Sequence, residues 1–533
     1  MTTTAPGAPI ALHDVSDTEV VHDPRRKRLI LAAMCTALMG VVASVSGLNV
    51  AQQDLALDLG ASQGQILWMI NGYTVALAAL LMPIGAIGDR WGRKPVLVSG
   101  LALFALSSIA AGVAPSIGAM IAARVVAGIG AAMIMPVTLS VITSSFPEEE
   151  RAQAIGIWAG VAGSGGLVGL FVSSFMVDVV DWRWLFALPT GLAAASFLLS
   201  MRAVPNSREH SEHPFDVVGS LLSFVAIGGL VLGVHEGPER GWGDGLTLAG
   251  LVAGAVCLVA FVVWERRQVD PLLDVGVFRN RGLASGSLTL LLLFGVMFGI
   301  FLVLFPFLQA VLGYSALRSA VSMLPMALVM MPTSALAPQV AKRFGNRRTM
   351  LIGTALGATG LAVLALQASV EGGYWSILPG LLIMGAGNGL AMTPSTEAIT
   401  ASLPVEKQGV ASALNDTSRE VGGAVGVALL GSILSSGYRD AIEPGLAGLP
   451  RPVVEAAGEG IGQAFGVAAQ AGPAGPRIID AAQHAFVDGW TASMWVGVAM
   501  MGLAFTYLLV AGPKGTADEV VLHTEEPVVD PVV

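Results

Sequence analysis

Apolar residues fill long runs of this chain, and polar residues gather in short turns between them. A helix that crosses the roughly 30 Å hydrocarbon core of a bilayer needs about 20 mostly apolar residues. That rule predicts helices near 29–50, 65–87, 96–114, 117–144, 153–177, 183–203, 216–236 and 245–264. Six more follow near 282–305, 319–341, 349–369, 376–400, 407–436 and 489–511. The pattern is that of an all-α integral membrane protein with fourteen transmembrane helices. The first run, of about 22 residues, is too long for a signal-peptide core and reads as a retained helix. Between the last two helices, residues 437–488 are rich in Ala, Gly and Pro, with spaced acidic residues. Short amphipathic helices at the outer surface are expected there.

Charge tests the count independently. With residues 1–28 inside, the inner segments and their adjoining helix ends carry 20 of the 28 Lys and Arg. This is the positive-inside bias, and adding or removing one helix would destroy it. The chain is expected in the cytoplasmic membrane, multi-pass, with both termini cytoplasmic. Charged residues make up 12% of the sequence, against about a quarter in a soluble protein, so most of the chain faces lipid or other helices. The net charge of −9 and the lack of a basic tail exclude a nucleic-acid surface. Cys35 and Cys257 lie far apart in apolar runs and suggest packing, not a disulfide framework. No Walker sequence occurs, and "HSEH" at 210–213 sits in a cytoplasmic loop, where a metal site is not expected. The acidic tail from Pro513 is expected to be disordered.

A repeat divides the chain. Residues 85–97 read GAIGDRWGRKPVL and residues 338–350 read PQVAKRFGNRRTM. An offset of 253 pairs Gly92 with Gly345, Arg90 with Arg343 and Lys94 with Arg347. Each basic turn lies between the second and third helices of a six-helix set, which makes the seventh and eighth helices an insertion and the plan 6+2+6. The segments expected are a cytoplasmic tail at 1–28, an N-terminal half at 29–203 and a central pair with its loops at 204–281. A C-terminal half at 282–511 includes the outer loop 437–488, and an acidic tail covers 512–533. Two helical repeats facing a midplane site suit alternating access.

The segment GAIGDRWGRKP resembles the G-x-x-x-D-R-x-G-R-[RK] signature of the major facilitator superfamily. With fourteen predicted spans the chain is similar to that family's drug:proton antiporter branch. Further resemblances follow in order: "QILWMINGYTVALAALL", "RVVAGIGAAMIMP", "DWRWLFALPTG", "PSTEAITASLP" and "GVASALNDTSREVGGAVGVALLGS". The resemblance implies the major facilitator fold. It also implies a conformational latch at Gly85, Asp89, Arg90, Gly92, Arg93 and Lys94, and a link between Arg124 and proton transfer. Two departures bear on coupling. Ser44 stands where many relatives carry an Asp, and "GLFVSS" puts Leu170, Ser173 and Ser174 in place of the Pro and Gly of the antiporter motif.

The residues themselves point to the same places. Asp89 at a helix end is within reach of Arg93, and their pair could latch the helix ends; the alternative is that these cations only set topology. In the second repeat Asp89 is replaced by Lys342. An Arg within a membrane helix costs roughly 2.5 kcal/mol or more at the centre, which makes Arg124 a functional candidate unless it snorkels to the interface. Asp416 lies about nine residues, roughly 14 Å, into the thirteenth helix, near the midplane. Asp416 and Glu420 are i and i+4 on one face, and Arg419 can pair with Asp416. Two carboxylates sharing one Arg cannot both be ionised cheaply, so one is poised to bind and release a proton. The alternative is a static network that fixes packing. Glu397 is a second candidate for that relay. Asn49, Trp68, Tyr73, Met133, Met135, Phe298 and Asn388 are candidates to line an apolar cavity, since Met surfaces adapt to varied ligands.

These features predict a secondary transporter, not an enzyme, that exports a small amphiphilic compound. The proton gradient is its energy source, with no cofactor and no metal. Membrane lipid is the only other partner expected, with no obligate protein partner. The alternative is a carrier or flippase for a lipid or endogenous metabolite with altered or no proton antiport.

Overall fold

A computed structural model describes residues 20–50, 63–208 and 215–513, together with 55, 58, 59 and 61. The HSEH segment and most of both tails lie outside these residues. The described chain is helical. Its helices are α1 (Pro24–Val50), α2 (Gln63–Trp91), α3 (Arg93–Gly112), α4 (Ile117–Ser145), α5 (Glu148–Val179) and α6 (Ala187–Ala203). Then come α7 (Val217–Arg240), α8 (Gly245–Glu265), α9 (Arg281–Pro306), α10 (Ala316–Phe344), α11 (Asn346–Gln367) and α12 (Leu378–Thr400). Last are α13 (Gln408–Gly445), α14 (Arg451–Gly458), α15 (Ile461–Gln470) and α16 (Gly475–Ala511). With α6 counted from the helical turn that starts at Trp182, all but α14 and α15 are long and apolar enough to cross a membrane, which bears out the fourteen spans. The protein is a multi-pass membrane protein.

Helix starts follow the polar residues between the apolar runs. Ser116, Asp216, Asp244, Asn280 and Ser315 each accept a backbone N–H of the helix that follows with their own side chain. Such caps satisfy amides that have no partner inside the helix.

Helices α1–α6 pack together, as do α9–α13 with α16, while α7 and α8 pair and lean on α2 and α13. The halves meet along two seams, α2 against α13 and α5 against α10. These are the second and fifth helices of opposite halves, so the seams are related by the repeat. The repeat is also visible in detail. Gly92 and Gly345 both take positive φ, 111° and 87°, at the turn that starts the next helix, a conformation that favours glycine. Lys94 donates to Met201 O at 3.0 Å, on the last turn of α6. Its counterpart Arg347 donates to Leu508 O and Leu509 O, on the last turn of α16.

Both described chain ends lie at one end of the bundle, hereafter the basic end. There Val21 N donates to Ser145 O, Arg26 Nε to Ala203 O, and Lys27 pairs with Glu150. The seams are tight toward this end: Ser334 Oγ of α10 donates to Gly156 O of α5 at 2.9 Å. At the far end a cluster around Met69, Met120, Trp182 and Phe186 is built from the first half alone.

The segment 437–488 differs from expectation in extent. Helix α13 has 38 residues, about 57 Å at 1.5 Å per residue, nearly twice the hydrocarbon thickness. Helix α16, at 37 residues, overruns similarly. Hydropathy detects only the part inside lipid; beyond it, Ala-rich sequence with spaced polar residues keeps the helix going. The short helices α14 and α15 pack on this extension, with Tyr438 Oη donating to Ala457 O at 3.0 Å.

Small residues set the packing. A Cβ on Gly426 of α13 would overlap the Gly295 backbone of α9, whereas Gly502 has open space. Without a hydrophobic drive between helices in lipid, such close approach is what holds them. Gly426→Val should therefore destabilise the folded protein by about 1–3 kcal/mol. Thermal unfolding in detergent checks this, with Gly502→Val leaving the midpoint unchanged.

Candidate functional site

The turn at 89–93 ties the halves together. Arg93, 1% exposed, donates to Asp89 Oδ1 from Nε at 3.0 Å and from Nη2 at 2.7 Å. Asp89 also accepts from the other half: Gly409 N reaches Oδ1 at 2.8 Å and Val410 N reaches Oδ2 at 3.1 Å. These amides belong to the first turn of α13, so Asp89 caps a helix of the opposite half. Arg93 Nη2 donates to Val405 O and Glu406 O just before that helix. Gly85 makes the approach possible, because a Cβ there would press on Ala413 and the Gly409 backbone.

Not all of the expected latch lies in this clasp. Lys94 bonds within its own half, and Gly92 serves the turn. Arg90 lines a cleft beside the clasp. In the second repeat Lys342 is exposed and α10 meets α5 through Ser334 instead.

Arg124 does not snorkel. It is 1% exposed, its Nη1 donates to Ser44 Oγ at 2.8 Å, and its guanidinium lies 4.2 Å over the Tyr73 ring. Among the described residues no carboxylate forms an ion pair with it within 4.0 Å. In place of a neutralising carboxylate, this site offers a hydroxyl and a π-face, and a desolvated cation gains about 2 kcal/mol from such a face.

On α13, Asp416 is fully buried and Arg419 Nη1 donates to its Oδ1 at 3.0 Å. Asn415 Nδ2 donates to the same oxygen at 3.2 Å, while Oδ2 is buried without a protein partner. The Arg419 guanidinium lies between two rings, 4.5 Å from Phe294 of α9 and 5.5 Å from Trp158 of α5. Trp158 belongs to the other half and is held by its Nε1 donating to Thr138 Oγ1. Arg419 pairs with Asp416 as expected, and Glu420 lies within electrostatic reach of both without an ion pair to Arg419 inside 4.0 Å. Glu420 is one residue on, about 100° further round the helix. It is half-buried, within electrostatic range of the Tyr73 phenol. Tyr73 itself meets Arg124 through its ring and donates its hydroxyl to Val41 O at 3.4 Å. Glu397 is half-buried in the last turn of α12, near the basic end, and on a different helix.

The expected cavity residues divide. Tyr73 and Met135 are buried, and Phe298 packs edge-on to Phe294 at 5.8 Å beside Arg419. Trp68 is half-buried toward the far end of α2. Met133 instead packs against Gly100 of α3, and Asn388 turns its amide oxygen toward Gly357 of α11. Both lie inside one half because small residues on the neighbouring helix make room there. The Asn49 side chain lies outside the described residues. Trp158, the aromatic link between the halves, was not among the sequence candidates; a lone Trp in an apolar run carries no signal of its partner.

Breaking the clasp should open the basic end. Asp89→Asn removes the charge on which Arg93 depends, and loss of such a buried pair costs roughly 3–5 kcal/mol. Spin labels at the exposed positions Glu148 and Lys342 report the outcome as a shift toward longer distances across the seam.

Residues 32–427 match the family model of the Major Facilitator Superfamily. The chain is 32% identical over 431 residues to the multidrug resistance protein Stp of Mycobacterium tuberculosis, covering 80% of each. It is 33% identical over 487 residues to the multidrug efflux pump LfrA of Mycolicibacterium smegmatis, covering 90% of this chain and 95% of that one. Its fold is similar to that of the proton:xylose symporter XylE, with a TM-score of 0.61 at 14% identity, over 92% of this chain and 97% of the other. Fourteen spans, the seams between halves, the clasp and these matches agree: the chain belongs to the major facilitator superfamily.

Proposed function

We propose that this protein is a proton-coupled exporter of hydrophobic or amphiphilic compounds, of the fourteen-helix drug:proton antiporter branch. The observation that carries the reading is the buried Asp416–Arg419 pair beside the seam, with an Asp416 oxygen that has no protein partner. A proton on Asp416 weakens its hold on Arg419, which then depends on Phe294 and on Trp158 of the opposite half. Protonation is thereby felt across the seam, on the same helix whose first turn Asp89 holds. Glu420, one residue beyond Arg419, and Glu397, toward the basic end, are further proton stations on this reading. One proton moving down 100 mV supplies about 2.3 kcal/mol for the cycle. The multidrug relatives support export of amphiphilic compounds. The basic end is cytoplasmic by the positive-inside bias, with both termini on the cytoplasmic side of the cell membrane, so the clasp closes the cytoplasmic side.

A second reading is favoured by one observation, the pairing of Arg124 with Ser44 instead of a carboxylate. On that reading the chain carries a lipid or endogenous metabolite, with altered or no proton antiport.

Dye efflux from vesicles, with and without an imposed proton gradient, separates the two. Gradient-driven efflux should fall at least tenfold in Asp416→Asn, a loss of about 1.4 kcal/mol or more in the coupled step. Glu420→Gln should flatten its pH dependence. Normal efflux and a normal pH profile in both variants would overturn the relay.

A further inference from the structure

Helices α7 and α8 belong to neither six-helix half, and their two ends are anchored to opposite halves. At the entry, Phe215 stacks on Trp91 at the end of α2, with ring centroids 5.5 Å apart and planes at 29°. Helix α7 continues along α2, where a Cβ on Gly228 would press on Ala79. Deeper in the bundle its Val231 packs with Ala78 of α2 and Ala424 of α13, over the seam. At the exit, the chain leaving α8 crosses to the other half. Lys407, the residue that precedes α13, donates to Asp270 Oδ1 at 2.8 Å and to Pro271 O at 3.3 Å.

Entry and exit are tied to each other as well. Trp264 Nε1 near the end of α8 donates to both oxygens of Asp216, the residue that caps α7. Leu273 N donates to Glu265 Oε2, which fastens the exit segment to α8. A cleft of about 40 Å³ beside the clasp is lined by Asp89 and Arg90 of one half, Phe215 and Asp270 of the central pair, and Lys407 of the other half. All three units converge at that point.

We propose that the α7–α8 pair is a strut that bridges the two halves and holds the basic end shut, with Asp270–Lys407 as its breakable joint. The joint grips α13 two residues from Gly409, where Asp89 takes hold. Opening the basic end carries α13 away from α2. Such opening pulls the pair, packed along α2 through Phe215 and Gly228, against the grip of Asp270 on Lys407. The strut thus adds a second hold to the clasp, and its joint is more accessible than the buried Asp89–Arg93 pair: Asp270 and Lys407 are each about a quarter exposed. The inference concerns the balance between closed and open states and does not depend on what is carried.

The test uses the full chain in lipid vesicles, with Cys35→Ser and Cys257→Ser and a reporter Ser412→Cys, a fully buried position on α13 inside the clasp. Its rate of reaction with a maleimide reads how often the basic end opens. Asp270→Asn and Lys407→Gln should each raise the rate roughly two- to fivefold, the scale of a partly exposed ion pair. Phe215→Ala should act in the same direction. A strut cut at one end gains nothing from a cut at the other, so Asp270→Asn with Phe215→Ala should react no faster than the faster single variant. Exchanging the charges, Asp270→Lys with Lys407→Asp, should bring the rate back toward the starting protein. Unchanged rates in the single variants, additive rates in the double variant, or failure of the exchange to restore protection would each overturn the proposal.

Discussion

The carboxylate of Asp89 completes the first turn of α13, and the relation between the two halves depends on that contact. A helix begins with amides that have no partner inside it and with the positive end of its dipole. Near the edge of a membrane those amides need water or a substitute. Asp89 supplies the substitute from the opposite half, and Arg93 neutralises it while binding the carbonyls that precede the same helix. Each half therefore holds polar groups that the other half satisfies, and that only solvent could satisfy if the halves parted. A contact of this kind is made or lost as a whole, which is what a two-state switch requires.

The small residues at the seam make the contact possible. Gly85 and Gly409 bring α2 and α13 close enough for a short carboxylate to reach a backbone amide. The second seam reaches the same closeness differently, with Gly156 accepting from Ser334 and with Lys342 turned outward where the first repeat has Asp89. The duplicated framework is thus symmetric in its glycine turns and in the Lys94 and Arg347 anchors, and asymmetric in its lock. One half supplies the acid and the other the helix it caps. The same α13 carries Asp416 and Arg419 further along its length, so a rigid helix joins the proposed proton site to the clasp.

Much of this architecture is legible in the order of the residues. Apolar runs long enough to span a bilayer mark fourteen helices, and the sorting of Lys and Arg agrees with that count. The offset between Gly92 and Gly345 reveals the repeat, and Asp416, Arg419 and Glu420 stand out because charge in hydrocarbon is costly. The length of α13 and α16 is less legible, since hydropathy reads the membrane-thick part and not the helix that continues beyond it.

Partners are another matter. A buried membrane helix is apolar all round, so no stripe along it says which face meets which neighbour. Rotation is settled by where small residues let backbones approach, often between helices hundreds of residues apart. That is why the tertiary structure alone decides that Asp89 caps α13, that Lys94 stays within its own half, and that Arg124 meets Ser44 and Tyr73. It also turns Met133 and Asn388 away from the seam and places Trp158 against Arg419. The sequence by itself determined how many helices cross, which residues are too polar to be there without a reason, and that the chain repeats. Which of those residues touch was left to packing, because in a lipid-like interior van der Waals fit, and not hydrophobic contrast, chooses the neighbours.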